Sequence, residues 1–81
     1  MKEGIEKSAI SAISRQKGID PATVTLDSTL ADLGISSLDA ITIMYDMEEE
    51  FDIEIPNEKL DQLQTVRDMV EGIASLIEAG H

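Results

Sequence analysis

The spacing of the apolar residues constrains this chain most. Val66, Met69, Val70, Ile73, Leu76 and Ile77 recur every three or four positions, the period of one helical face. Ile5, Ala9, Ala12 and Ile13 repeat that period near the N-terminus, and Ile10 widens the stripe. Ala40, Ile43, Met44, Met47 and Phe51 repeat it in the middle. Helices with one apolar face each must bury those faces against one another. The expected fold is therefore all-α: a small four-helix bundle with three main helices and one short one. With 81 residues, a single domain spanning residues 1–81 is expected.

Punctuation residues place the boundaries. The first helix is expected over about Lys2 to Lys17, with Arg15 and Lys17 at the negative end of its dipole and Gly18 closing it. From Ile19 to Ile35 no helical stripe persists, yet Ile19, Val24, Leu26, Leu30, Leu33 and Ile35 are apolar. That pattern predicts a long loop pinned to the core, with a short helical turn available at Thr29 to Asp32. Loops of this length in compact domains are often functional. The next helix is expected to start at Ser36 or Ser37, with Asp39 in its first turn, and to reach about Asp52. Ile53-Glu54-Ile55 forms an extended link, because Pro56 disfavours helix just before it. Asn57 is the expected cap of a short helix carrying Leu60 and Leu63. Thr65 caps the last helix, with Asp68 three residues on as a weaker capping box. Gly72 weakens that helix, and its absent side chain suits the close approach of a neighbour. The ending Ala79-Gly80-His81 is expected to fray.

Charge narrows the function. Seventeen Asp and Glu against six Lys and Arg leave a formal charge of −11. Phosphate neutralisation needs the opposite balance, so a nucleic-acid partner is not expected. Anionic membrane surfaces attract basic segments, and no apolar run approaches the roughly 20 residues of a membrane span. Partners with basic patches are favoured. No cysteine is present, so neither a disulfide framework nor a thiolate metal site is available. Met1-Lys2-Glu3-Gly4 does not lead into a signal sequence, and a cytoplasmic monomer is expected.

Little in the chain supports turnover chemistry. The one histidine, His81, stands at the terminus, so no Ser-His-Asp arrangement is expected. Glu48-Glu49-Glu50 is the composition of a solvated helix face. Asp46 to Asp52 lacks the glycine turn of a calcium loop, and no metal site is expected. Two features remain. Leu38, Ile41 and Tyr45 form a second apolar stripe on the middle helix, more than one buried face needs, and such a strip suits docking. Asp32-Leu33-Gly34-Ile35-Ser36-Ser37-Leu38-Asp39 places two serines at a helix start, where free N–H groups and the dipole favour an anion. On spacing alone these serines are either plain helix caps or the anchor of a phosphate ester.

The same segment resembles the phosphopantetheine attachment motif of acyl carrier proteins, commonly Asp-Leu-Gly-x-Asp-Ser-Leu-Asp. Glu48-Glu49-Glu50-Phe51-Asp52-Ile53-Glu54-Ile55-Pro56 is similar to that family's acidic run, and Thr65-Val66 to the opening of its last helix. The likeness covers nearly the whole chain. It implies a discrete acyl carrier, not an enzyme, with 4′-phosphopantetheine attached covalently to Ser37 and acyl groups held as thioesters for fatty-acid or polyketide synthesis. Implied partners are a phosphopantetheinyl transferase and synthase enzymes with basic docking patches. They would meet Leu38, Asp39, Ile41, Tyr45, Glu48 and Glu49. Implied lining for an acyl chain is Met47, Ile55, Leu60, Leu63, Met69 and Ile73, residues that are otherwise ordinary core.

One position departs from the motif: Ser36 stands where the family usually has Asp. It removes a charge beside the attachment serine and leaves a housekeeping and a specialised carrier both open. Two other readings stay open at this stage. A peptidyl or aminoacyl carrier more often shows Gly-Gly before His-Ser or Asp-Ser, which Ile35-Ser36 does not match. An acidic helical interaction module would use Ser37 only as a cap.

Overall fold

The computed structural model describes residues 2–79. They form four α-helices: α1 (Lys2–Lys17), α2 (Ser37–Phe51), α3 (Asn57–Leu60) and α4 (Val66–Ala79). The helical bundle therefore matches the apolar spacing. The expected fraying at Gly80 and His81 lies outside the described residues.

Each stripe supplies the core. Ile5, Ala9, Ala12 and Ile13 of α1 are buried against Ile43, Met44 and Met47 of α2 and Val66, Met69, Val70 and Ile73 of α4. Gly18 ends α1 in the left-handed conformation, at φ 66°. Its N–H and that of Ile19 both reach the Ser14 carbonyl, at 2.8 and 3.2 Å. Asp52 ends α2 the same way at φ 54°, a conformation that Asp tolerates better than most side chains.

The long loop is anchored as its apolar residues predict, with Val24, Leu30 and Ile35 buried. Asp20 caps a 3₁₀ turn at Pro21–Thr23. Thr29 to Gly34 is hydrogen-bonded turn, including a Leu33 N–H to Thr29 carbonyl bond of 3.2 Å, and does not extend into a helix. The loop also joins the start of α4. Val66 and Arg67 donate their N–H groups to the carbonyls of Ser28 (3.1 Å) and Leu26 (2.9 Å), and Leu30 donates to Gln64 (2.9 Å). Helix starts leave such amides unpaired, and here the loop supplies their acceptors. Arg67 adds an ion pair to Asp27 at 2.7 Å.

Two local expectations are corrected. Pro56, not Asn57, occupies the cap position of α3, and no side chain caps it. Pro56 is already extended there, at φ −63° and ψ 146°, so Asn57 becomes the first helical residue. Leu63 falls past the end of this one-turn helix. Gly72, in turn, is not required by a neighbour, because a Cβ there meets nothing within 4 Å. Gly72→Ala should therefore stabilise the fold by about 0.4–1 kcal/mol through helix propensity and the unfolded chain's entropy. A raised thermal midpoint would show it, and an unchanged or lowered one would contradict it.

Candidate functional site

The sequence places two serines at one helix start, and their hydroxyls have different roles. Ser36 is the N-cap of α2: its Oγ accepts the Asp39 N–H at 3.2 Å. Asp39 returns the bond, its Oδ2 accepting the Ser36 N–H at 3.2 Å. This is a complete capping box, with Asp in the place of the usual Glu. Ser37, the first helical residue, is exposed, and its hydroxyl has no hydrogen-bond partner among the described residues. Gly34, at φ 75°, makes the turn that delivers the chain to this start.

Asp39 is further engaged from α1. Lys17 donates to its Oδ2 at 3.2 Å and Gln16 to its Oδ1 at 3.4 Å. The Ser36 backbone N–H, then Lys17 and Gln16, hold the Asp39 carboxyl at about 2, below its ordinary 3.8. A depressed folded-state pKa favours folding wherever the unfolded carboxyl would be ionised. That contribution is full above pH 3.8 and is lost as pH falls through about 2. A carbon-detected NMR titration should find Asp39 still ionised at about pH 3, where an ordinary carboxyl is mostly protonated. A midpoint near the ordinary value would show that the cap and the Lys17 pair do not hold in solution.

Beside the serines lies an open cleft of about 510 Å³. Loop residues Thr29, Leu30, Ala31 and Ile35 form one wall, Ser36, Ser37, Ala40 and Ile41 of the α2 end another, and Leu60, Asp61, Leu63 and Gln64 the third. A group esterified to the Ser37 oxygen thus has a free anchor atom, the positive end of a 15-residue helix and a trough of mixed polar and apolar lining next to it. Of the residues expected to line an acyl site, Leu60 and Leu63 border this cleft. Met47, Ile55, Met69 and Ile73 are buried in the core.

The second stripe of α2 faces outward. Leu38 is 77% exposed and Tyr45 56%, the two large hydrophobic residues most open to solvent among the described residues, and Ile41 is half-buried between them. Asp46 and Glu49 are exposed and Glu48 is half-buried. Lys17 and Gln16 were not expected at the site. Lys17 had a sufficient local explanation in the α1 dipole, and no spacing in the sequence joins it to Asp39.

Comparison with known proteins agrees with this geometry. Residues 9–73 match the family model described as "Phosphopantetheine attachment site". Curated acyl carrier proteins from two strains of Treponema pallidum are each 41% identical over 66 residues, 80% of this chain and 85% of theirs. The crystal structure of an acyl carrier protein from Thermotoga maritima superposes with a TM-score of 0.88, covering 99% of this chain and 94% of that one. At 24% identity that superposition speaks for the fold alone.

Proposed function

The chain belongs to the acyl carrier protein family, and from that premise we propose that Ser37 is the residue to which its 4′-phosphopantetheine is joined. A protein of this family is a carrier, not an enzyme. The prosthetic group supplies a thiol on which acyl groups ride as thioesters. The protein's part is to hold the anchor, keep it accessible and offer a recognisable surface. The observation that carries the assignment is the difference between the neighbouring hydroxyls: Ser36 is engaged in the cap, and Ser37 is exposed without a partner. Leu38-Asp39 following Ser37 supports the same choice by motif.

Carriers of this family interact with transferases and synthases. For this chain we place the contact on Leu38, Ile41 and Tyr45, flanked by Asp46, Glu48 and Glu49. An apolar strip with carboxylates beside it suits brief docking on a basic enzyme face. Leu60 and Leu63 are the lining residues that a cargo attached at Ser37 reaches without opening the core. No helix among the described residues is long and apolar enough to cross a membrane.

The test is an intact-mass measurement after incubation with a phosphopantetheinyl transferase and coenzyme A. One addition per chain is expected. No addition would leave the acidic interaction module as the better reading, and two additions would refute a single attachment serine.

A further inference from the structure

We propose that Lys17 is a specificity-determining residue: by pairing with Asp39 it withdraws that carboxylate from the docking face. Charge recognition is then confined to the Asp46–Glu50 end of α2, and the end beside Ser37 is met by apolar contact. This rests on the reading of α2 as the docking helix.

The charge layout of α2 carries the argument. Over Ser37–Phe51 it holds no Lys or Arg, and its acids are Asp39, Asp46, Glu48, Glu49 and Glu50. Asp39 is thus the sole charged residue of its first nine positions. Both Asp39 oxygens are engaged within the chain, and a cation stands 3.2 Å from one of them. The side chains of the pair are 29% and 25% exposed, so the pair is in part open to an approaching partner. A pair still open in part to solvent adds modestly to stability. Its larger effect is on the field, which it cancels at one end of α2 only. Lys17 stands on the last turn of α1, 22 residues before Asp39, so α1 and not α2 supplies this cation. Ser36, uncharged and next to the anchor, extends the same neutral zone. The other acids near this end are not part of α2: Asp32 stands on the loop, and Asp61, just past α3, faces the cleft that Ser37 and Ile41 also line.

The partner this fits has two separated features. One is an apolar hollow for Leu38 close to the entry that receives the prosthetic arm. The other is a basic cluster for Asp46 and Glu49, about 16 Å away by the rise of an α-helix over the eleven residues from Leu38 to Glu49. A partner whose basic residues crowd the entry itself would meet Lys17 and be rejected.

The experiment measures kcat/KM for loading by a phosphopantetheinyl transferase at low and near-physiological salt. Lys17→Met removes the cation, keeps an unbranched side chain and leaves the Ser36–Asp39 cap intact. It should raise kcat/KM several-fold at low salt, and the gain should vanish as salt screens the freed carboxylate. Adding Asp39→Asn to Lys17→Met should abolish the gain, because the amide oxygen can still accept the Ser36 N–H while the charge is gone. Asp46→Asn with Glu49→Gln should lower kcat/KM about ten-fold at low salt and flatten its salt dependence. Absence of a gain in Lys17→Met, or a gain that survives the second substitution, would overturn the proposal. Thermal midpoints of all variants exclude a folding origin. Failure of the parent chain to gain mass at all would refute the Ser37 reading instead.

Discussion

Ser37→Ala is expected to abolish loading while leaving the thermal midpoint nearly unchanged, and Ser36→Ala to do the reverse. The two hydroxyls differ by one residue in sequence and by their whole environment in the structure. The Ser36 oxygen accepts the Asp39 N–H at 3.2 Å and sets the first turn of α2. Losing a cap of this kind costs about 1 kcal/mol, within a range of roughly 0.5–2. In a domain of this size that lowers the midpoint by about 4–8 °C. The return bond from the Ser36 N–H to Asp39 survives the substitution, which keeps the cost near the middle of the range. Ser37 contributes no such bond among the described residues and is exposed, so its removal stays within about 0.5 kcal/mol. Its oxygen is nevertheless the nucleophile in the proposed assignment, and alanine has none to offer. Intact mass after transferase treatment and a circular-dichroism melt on both variants give the four values needed. Full loading of Ser37→Ala would remove the assignment whatever the melts show.

The sequence carried this site unevenly, for physical reasons. Ser36, Ser37, Leu38 and Asp39 are contiguous, so the cap, the anchor and the start of α2 could all be read from one segment. The exposed strip was legible too, because Leu38, Ile41 and Tyr45 exceed what one buried face can use. What stayed hidden lies between elements. Lys17 and Asp39 are 22 residues apart, and periodicity reports which face of a helix is buried, not which residue of another helix stands beside it. The pairing of Thr29 with Thr65, and the loop carbonyls that accept the first amides of α4, are invisible for the same cause. Backbone acceptors have no sequence signature. Gly72 misled in the opposite direction. A glycine within a helix suggests a close neighbour, but there is open space beside it. The cleft next to Ser37 joins the loop, α2 and the segment after α3, and its existence depends on how three elements meet.

Ile73→Ala is expected to consume most or all of the chain's stability at 25 °C, the greatest loss foreseen for a single substitution here. Ile73 is 0% exposed, on the face of α4 buried in the shared core. Truncating a buried Ile to Ala costs about 2–5 kcal/mol, through lost transfer energy and the cavity left behind. A core this small leaves about 3–5 kcal/mol in hand. The acidic surplus lowers that margin further at low salt, where like charges are least screened. The substitution therefore consumes most or all of the margin. Ile73→Val, which removes one methylene, should cost about 0.5–1.5 kcal/mol and remain folded. Leu60→Ala gives the contrast. Leu60 is half-buried at the cleft, has solvent on one side, and leaves an open hollow when shortened. Its cost should be the smaller of the two Ala substitutions. Urea titrations of the three variants would order them Ile73→Ala, Leu60→Ala, Ile73→Val from least stable, with the last two close together. That order separates the two kinds of residue proposed to line a cargo site. Leu60 and Leu63 stand ready at the surface beside Ser37, whereas a chain that reaches Ile73 must first displace packing on which the fold depends. A Leu60→Ala variant as unstable as Ile73→Ala would show that the cleft wall is core, and would remove the distinction.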